Sequence, residues 1–179
     1  MDEYEIPDGK SLTKAEKIDD DHSRISKVTI NIKDQSYSCP SYVNMQEGLI
    51  EYIVSMPHGK VHETLLVTLA DPLHMSVASK LLKFPSFNKM FPQRDDNMEW
   101  KPYTRPKRED FANALVDISV SWKKDGKTIT MPASDLIKFK ETTQNLSSHE
   151  WVLADSTIYK KTYQSSVTGD VIAIFGDSN

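Results

Sequence analysis

The sequence predicts an α+β domain made mainly of antiparallel β-strands, with one helix over about residues 72–83 and an irregular aromatic insert. Three observations support this fold class. Apolar residues alternate with polar ones both before and after the helix, which is typical of half-buried strands. Only one stretch has the spacing of an amphipathic helix. The order of strands, one helix, an irregular segment and further strands differs from the regular alternation of a parallel α/β fold.

The first segment, residues 1–24, is polar and acidic and ends close to a run of three aspartates. Such a composition lacks the apolar side chains that would offset the entropy lost on ordering. We therefore expect a mobile N-terminal arm over residues 1–24 and a single domain over residues 25–179.

Alternating apolar residues and flanking turn residues predict four strands in the first half of the chain. They span residues 28–33, 36–43, 49–55 and 61–69. In the last of these strands, alternation would place His62 and Glu63 on opposite faces of the sheet.

The spacing of apolar residues then changes to that of a helix. Asp71 is suited to cap the N-terminus and Pro72 to occupy the first helical position. Leu73, Val77 and Leu81 form one apolar stripe, and Pro85 follows the predicted end.

The segment of residues 84–106 contains four prolines and five aromatic residues. A disordered linker rarely has so many aromatic side chains, so we expect a long loop or short helix packed on the domain. The basic run at residues 101–108 has two interpretations, a nucleic-acid patch and a solvated loop. The acidic charge of the whole chain favours the loop.

Alternation returns in the second half, where residues 116–122 form a predicted strand and Asp125-Gly126 the tip of a hairpin. Residues 133–139 are predicted to form either a helical turn or a strand. Three further strands are predicted at residues 151–155, 157–163 and 170–175, with a turn at Thr168-Gly169-Asp170 forming the last hairpin.

The composition excludes several classes of protein. With 179 residues the chain has the length of one ordinary domain, and its net charge of −4 does not favour a broad attraction to nucleic acid or anionic lipid. Any basic patch would have to be local. Cys39 is the one cysteine, so no intramolecular disulfide forms, and we interpret it as a small buried hydrophobe. No apolar run reaches about 18 residues, so no membrane span is expected. The acidic start differs from a signal peptide.

The candidate metal ligands are His58, His62 and His74, with Glu63 beside them. A zinc or iron site needs about three nitrogen or oxygen ligands that converge, so a divalent metal and a metal-assisted hydrolase form one hypothesis. The competing interpretation is a polar cluster of Lys60, His62 and Glu63, in which a buried His62–Glu63 pair maintains the strand register. The sequence has no nucleophile elbow, glycine-rich phosphate loop or dinucleotide fingerprint, which favours a domain without catalysis.

Several motifs of the chain resemble those of the YdjY-like domain family. They are Glu47–Tyr52, Gly59–Thr68, Pro72–His74, Val120–Trp122, Asp125–Lys127, Trp151–Leu153 and Gly169–Asp177. The resemblance covers residues 25–179. Two departures are the helix exit at Lys83-Phe84, where the family tends to have glycine, and Asp155, which replaces a usual glycine.

The resemblance implies a location outside the cytoplasm, in the periplasm or at the cell surface, because many members are exported by bacteria; the export signal would then be missing from this chain. The family supplies no established substrate, cofactor or catalytic residue. We therefore expect a binding or interaction domain of the cell envelope, with no cofactor. Its partner would be an envelope protein or a small ligand, not nucleic acid. We expect its groove between residues 59–63 and 87–103.

Overall fold

The structure is a computed structural model that describes residues 4–92, 95, 99–138 and 150–174. Its first half contains β1 (Glu16–Lys17), β2 (His22–Ile25), β3 (Val28–Asn31), β4 (Ser36–Ser38), β5 (Ser41–Val43), β6 (Tyr52–Ser55), β7 (Thr64–Thr68) and α1 (Pro72–Leu81). Its second half contains α2 (Arg108–Phe111), β8 (Leu115–Val116), β9 (Ser119–Lys124), β10 (Lys127–Pro132), β11 (Trp151–Val152), β12 (Ile158–Tyr159), β13 (Thr162–Tyr163), α3 (Gln164–Thr168) and β14 (Asp170–Ala173). Short 3₁₀ turns lie at Val61–Glu63, Ala112–Ala114 and Ala133–Leu136.

The fold is mostly antiparallel β-structure with few helices, as the sequence predicts. The strands β1 to β4 form one antiparallel sheet in chain order. A second sheet has the order β14-β6-β7-β5, and β9 pairs with β10 as a separate hairpin. In the described part of the chain, no helix has the length and apolar composition needed to cross a bilayer.

The boundary between arm and domain that the sequence predicts does not coincide with a boundary in the structure. Strand β2 ends at Ile25 and pairs with β3 through four residues, so a boundary at residue 25 falls inside a hairpin. Ile25 is buried in the core together with Val28 and Ile30. The acidic composition misses this hairpin because a single buried isoleucine and main-chain pairing are sufficient to join the strand to the sheet.

Two cores lie on the two sheets. The first joins the β2–β3 hairpin to α1, and its buried members include Ile30, Met75 and Ala78. The second lies on the β14-β6-β7-β5 sheet, where Ile53 and Leu66 pack against Trp151.

The pairing of β6 with β7 is parallel, in an otherwise antiparallel sheet. Parallel neighbours usually need a crossover of about a dozen residues or more, yet here residues 56–63 suffice. The strand predicted at residues 61–69 is therefore wrong at its start, because Val61–Glu63 forms a 3₁₀ turn and the strand begins at Thr64. The chain reverses direction at these residues, so the alternation of side chains that is typical of a strand does not apply to them.

The C-terminal third also differs in detail. The strand predicted at residues 157–163 is two short strands, β12 and β13, joined by Lys160 and Lys161 in left-handed conformations. Gly169 ends α3 with a φ of 80°, so the hairpin turn predicted at residues 168–170 is a helix cap. Strand β14 pairs with β6 and not with the strand before the turn. Residues 133–136 form a helical turn, which is one of the two predicted alternatives. Residues 139 and 175 lie outside the described residues.

Helix α1 confirms the predicted start. The side chain of Asp71 accepts a hydrogen bond from the amide of Leu73, and Pro72 is the first helical residue. The helix ends in a Schellman motif, in which Lys83 N–H donates to Lys80 O (3.0 Å) and Phe84 N–H to Ser79 O (2.9 Å). The motif requires a left-handed residue, and Lys83 has a φ of 58°.

We predict that Lys83→Gly stabilises the protein by about 1 kcal/mol, because glycine adopts the left-handed conformation without the cost that a Cβ atom brings. Chemical denaturation measures this free energy of unfolding. Lys83→Ala removes the same charge but keeps the Cβ atom, so it should leave the stability close to that of the parent chain. Equal stabilisation by both variants would contradict the prediction.

Candidate functional site

The connection at residues 56–63 is held by a close contact between two glycines. A Cβ atom on Gly59 would lie 2.7 Å from the carbonyl oxygen of Gly169, and one on Gly169 would lie 2.7 Å from the amide nitrogen of Gly59. The same Gly169 oxygen accepts a hydrogen bond from the amide of Met56 (2.7 Å). The backbone of the connection therefore lies directly against the end of α3.

Hydrogen bonds from the neighbouring loop anchor the other end of the connection. The Asn44 amide nitrogen Nδ2 donates to the carbonyl oxygens of Val61 (2.6 Å) and Thr64 (2.8 Å). The amide of Glu51 donates to the carbonyl oxygen of Glu63 (2.8 Å). The loop between β5 and β6 is thus attached at both of its ends to the 3₁₀ turn and the start of β7.

His62 and Glu63 lie on this turn, and Lys60 directly precedes it. Lys60 Nζ is 3.0 Å from the hydroxyl of Tyr52 and 5.2 Å from the centre of its ring. His62 Nε2 is 3.9 Å from Glu63 Oε2, and 77% of the His62 side chain is exposed. The turn therefore places the His62 and Glu63 side chains near each other, whereas the predicted strand would have placed them on opposite faces. His62 faces solvent, so the pair is not the buried network that the sequence suggested.

His58 is held by two protein groups. Its Nε2 lies 3.1 Å from the carbonyl oxygen of Ser166, and its Nδ1 lies 2.6 Å from the hydroxyl of Tyr4, whose ring stacks on the imidazole. Because a carbonyl oxygen only accepts, Nε2 is the donor to Ser166. Burial, together with the nearby Asp71 and Tyr42, raises the pKa of the Tyr4 hydroxyl to about 12.

His74 is buried on the first turn of α1. Its Nε2 accepts a hydrogen bond from the backbone amide of Thr13 (3.3 Å), so its proton is on Nδ1. That nitrogen is buried without a hydrogen-bond partner in the described part of the chain. His58 and His74 thus each form a hydrogen bond with the N-terminal segment, through Tyr4 and Thr13 respectively.

The described residues include no group of three or more His, Cys, Asp or Glu side chains that could hold a metal ion. The three predicted ligands have different neighbours: His58 contacts Tyr4 and Ser166, His62 lies beside Glu63, and His74 contacts Thr13. The metal-assisted hydrolase stays a prediction.

A polar network around Asp155 was not predicted from the sequence. Asp155 accepts hydrogen bonds from Ser76 (2.8 Å) and Tyr163 (2.7 Å) and forms an ion pair with Lys80 (2.8 Å). Although burial alone would raise it, these three donors hold the pKa of the Asp155 carboxyl below its ordinary value, and burial with the nearby carboxylate raises the pKa of Tyr163. In the resembled family a glycine is usual at the position of Asp155. The spacing of Ser76 and Lys80 on one helix face was the signal in the sequence that could have predicted this network.

Strand β5 forms one edge of the second sheet, and all three of its residues are exposed. The exposed fractions are 52% for Tyr42 and 58% for Val43, and Leu49 in the following loop is 72% exposed. No charged residue occurs between Cys39 and Gln46. Natural sheet edges are commonly protected by charges, so this edge is unusual.

Cys39 fits the interpretation as a small hydrophobe, and two residues of the basic run are paired with carboxylates. Cys39 is partly buried beside the first core, and burial raises the pKa of its thiol. Arg108 pairs with Glu150, and Lys107 lies 3.7 Å from Glu109. Carboxylates thus neutralise part of the basic run.

The aromatic insert contacts the second half of the chain. The amide of Phe87 donates to the carbonyl oxygen of Leu153 (2.9 Å), and the Phe87 and Phe111 rings lie 6.0 Å apart. Tyr103 donates to the carbonyl oxygen of Met90 (2.6 Å). The groove expected between residues 59–63 and 87–103 stays a prediction.

No family model matches this chain, and neither a curated protein nor a solved structure does. The resemblance to the YdjY-like domain family therefore stays a prediction based on the motifs.

We predict that Gly169→Ala destabilises the protein by about 2 kcal/mol or more, because the added Cβ brings both a strained conformation and a contact with the Gly59 backbone. Gly126→Ala is the matched control. Gly126 also has a positive φ, of 75°, but a Cβ there meets nothing within 4 Å. A smaller loss for Gly126→Ala in chemical denaturation would isolate the cost of the contact, and equal losses would show that the glycine contact contributes nothing.

We predict that Asp155→Asn lowers stability at neutral pH and makes it less dependent on pH. Since the folded-state pKa of Asp155 lies below its unfolded value, the carboxylate stabilises the fold above that unfolded value, about 4, and this contribution is lost as the pH falls through the folded pKa. The difference between parent and variant should therefore shrink below about pH 4. Denaturation curves over this range test the prediction, with exposed Asp125→Asn as control. A difference that does not change with pH would contradict it.

Proposed function

We propose that this chain is an interaction domain that binds an extended segment of a partner protein along strand β5. The observation that supports this most is the uncharged edge formed by Ser41–Val43, whose three residues are all exposed. The proposal includes a location outside the cytoplasm, for which the support is the resemblance described above. No catalytic step is part of it.

The main chain of β5 is oriented for strand addition. Asn44 N–H donates to Leu65 O (2.9 Å), and the register pairs Tyr42 with Val67. Hydrogen-bonded pairs alternate with non-bonded pairs in antiparallel strands, so the amide and carbonyl groups of Ser41 and Val43 point away from β7. An extended peptide lying along β5 would form its hydrogen bonds with these amide and carbonyl groups.

Side chains on both faces of the edge add apolar contacts. Tyr42 and Val43 point to opposite faces of the strand, and Leu49 lies in the loop attached to the 3₁₀ turn. The exposed His62 and the partly buried Glu63 lie on that turn. A partner segment with alternating apolar residues fits this arrangement better than a small polar ligand does.

We predict that Val43→Lys weakens peptide binding by about tenfold or more, because burial of one valine side chain contributes about 1.5 kcal/mol and a lysine opposes strand addition. The probes are peptides selected from a displayed random library against the parent chain. Their binding is measured by titration, and the perturbed amides are located by nuclear magnetic resonance.

The matched control is Ile158→Lys, since Ile158 is also an exposed strand residue but lies on β12. It should leave binding unchanged, and the amides of residues 41–43 should shift in the parent chain. Peptides that bind Val43→Lys as tightly as the parent, or that perturb only other surfaces, would contradict the proposal.

A further inference from the structure

The hairpin of β9 and β10 extends from the body of the domain. Six residue pairs join its strands, from Ser119 with Pro132 to Lys124 with Lys127. At its base, Val120 packs against the second core. All residues from Trp122 to Lys127 are exposed, so the end of the hairpin is in contact with solvent on both faces.

The end of the hairpin carries a local positive charge. Lys123, Lys124 and Lys127 are its cations and Asp125 its one acid. Within the described part of the chain, none of the three ammonium groups forms an ion pair. Lys124 and Lys127 are directly paired across the hairpin, and like charges in this position destabilise a strand pair. A bound anion would relieve that repulsion.

Apolar side chains share one face with two of these lysines. Trp122 pairs with Ile129, and Lys124 pairs with Lys127, so strand alternation places all four on the same face. Trp122 is 38% exposed and lies about 10 Å from the turn, at about 3.3 Å per residue. The face thus has cations at its end and an amphipathic indole immediately behind them.

We propose that this hairpin end, residues 122–129, docks on a surface of anionic phospholipid. The lysines would contact the phosphate groups, and Trp122 would lie at the level of the headgroups, where indole rings are favoured. The exposed indole beside the lysines favours lipid over nucleic acid, because an indole ring is stabilised at the level of the headgroups. This docking is independent of peptide binding at β5.

Vesicle co-sedimentation of the full chain tests the proposal. The vesicles contain either phosphatidylcholine alone or equal parts of phosphatidylcholine and phosphatidylglycerol. We expect binding to the anionic vesicles only, with a loss at high salt. Replacement of Lys123, Lys124 and Lys127 by glutamine should lower the partition coefficient roughly a hundredfold, since each lysine near an anionic surface contributes about fivefold. Trp122→Ala should weaken binding while the salt dependence remains.

The matched control replaces Lys10, Lys14 and Lys27 by glutamine, which removes the same charge from exposed positions elsewhere. It should bind like the parent chain. Circular dichroism of each variant checks that it is folded. Equal binding by the two triple variants, equal binding to both kinds of vesicle, or tighter binding to a DNA duplex at the same phosphate concentration would overturn the proposal.

Discussion

The contact between Gly59 and Gly169 is the constraint on which much of the structure depends. It allows residues 56–63 to return along β6 and begin a parallel neighbour, β7, within a connection that would otherwise be too short. Because the Gly169 carbonyl also accepts the amide of Met56, the same contact aligns β14 with β6. A side chain at either position would separate the backbones, and the central strand pair would lose its support.

Polar side chains extend this arrangement from the sheet to the helices. Ser166 on α3 donates to Asp71, the residue that caps α1, and its carbonyl oxygen accepts from His58. Asp155 attaches the other side of α1 through Ser76 and Lys80. Ser76 and Ser166 are buried, so their hydroxyl groups would be costly to bury without these hydrogen bonds. In these contacts, His58 joins elements of the fold, whereas the sequence suggested it as a metal ligand.

The exposed surfaces have a different character. Strand β5 and the end of the β9–β10 hairpin are apolar or cationic and have few charged partners, whereas the buried polar groups are mostly satisfied. Edge strands without protective charges and like-charged cross-strand pairs are unfavourable for an isolated domain. Their presence on two separate surfaces is the physical reason to consider this chain as a domain that binds other molecules.

Local interactions were predictable from the sequence alone. The antiparallel character of the fold, the start of α1 at Asp71-Pro72 and the Asp125-Gly126 hairpin all follow from residues within a few positions of each other, because alternation, capping and turn conformation are short-range effects. The parallel pairing of β6 with β7, the turn that places His62 beside Glu63, and the attachment of Asp155 to α1 were decided only by the tertiary structure. Each depends on groups far apart in the chain, such as Gly59 with Gly169, whose approach no local pattern encodes.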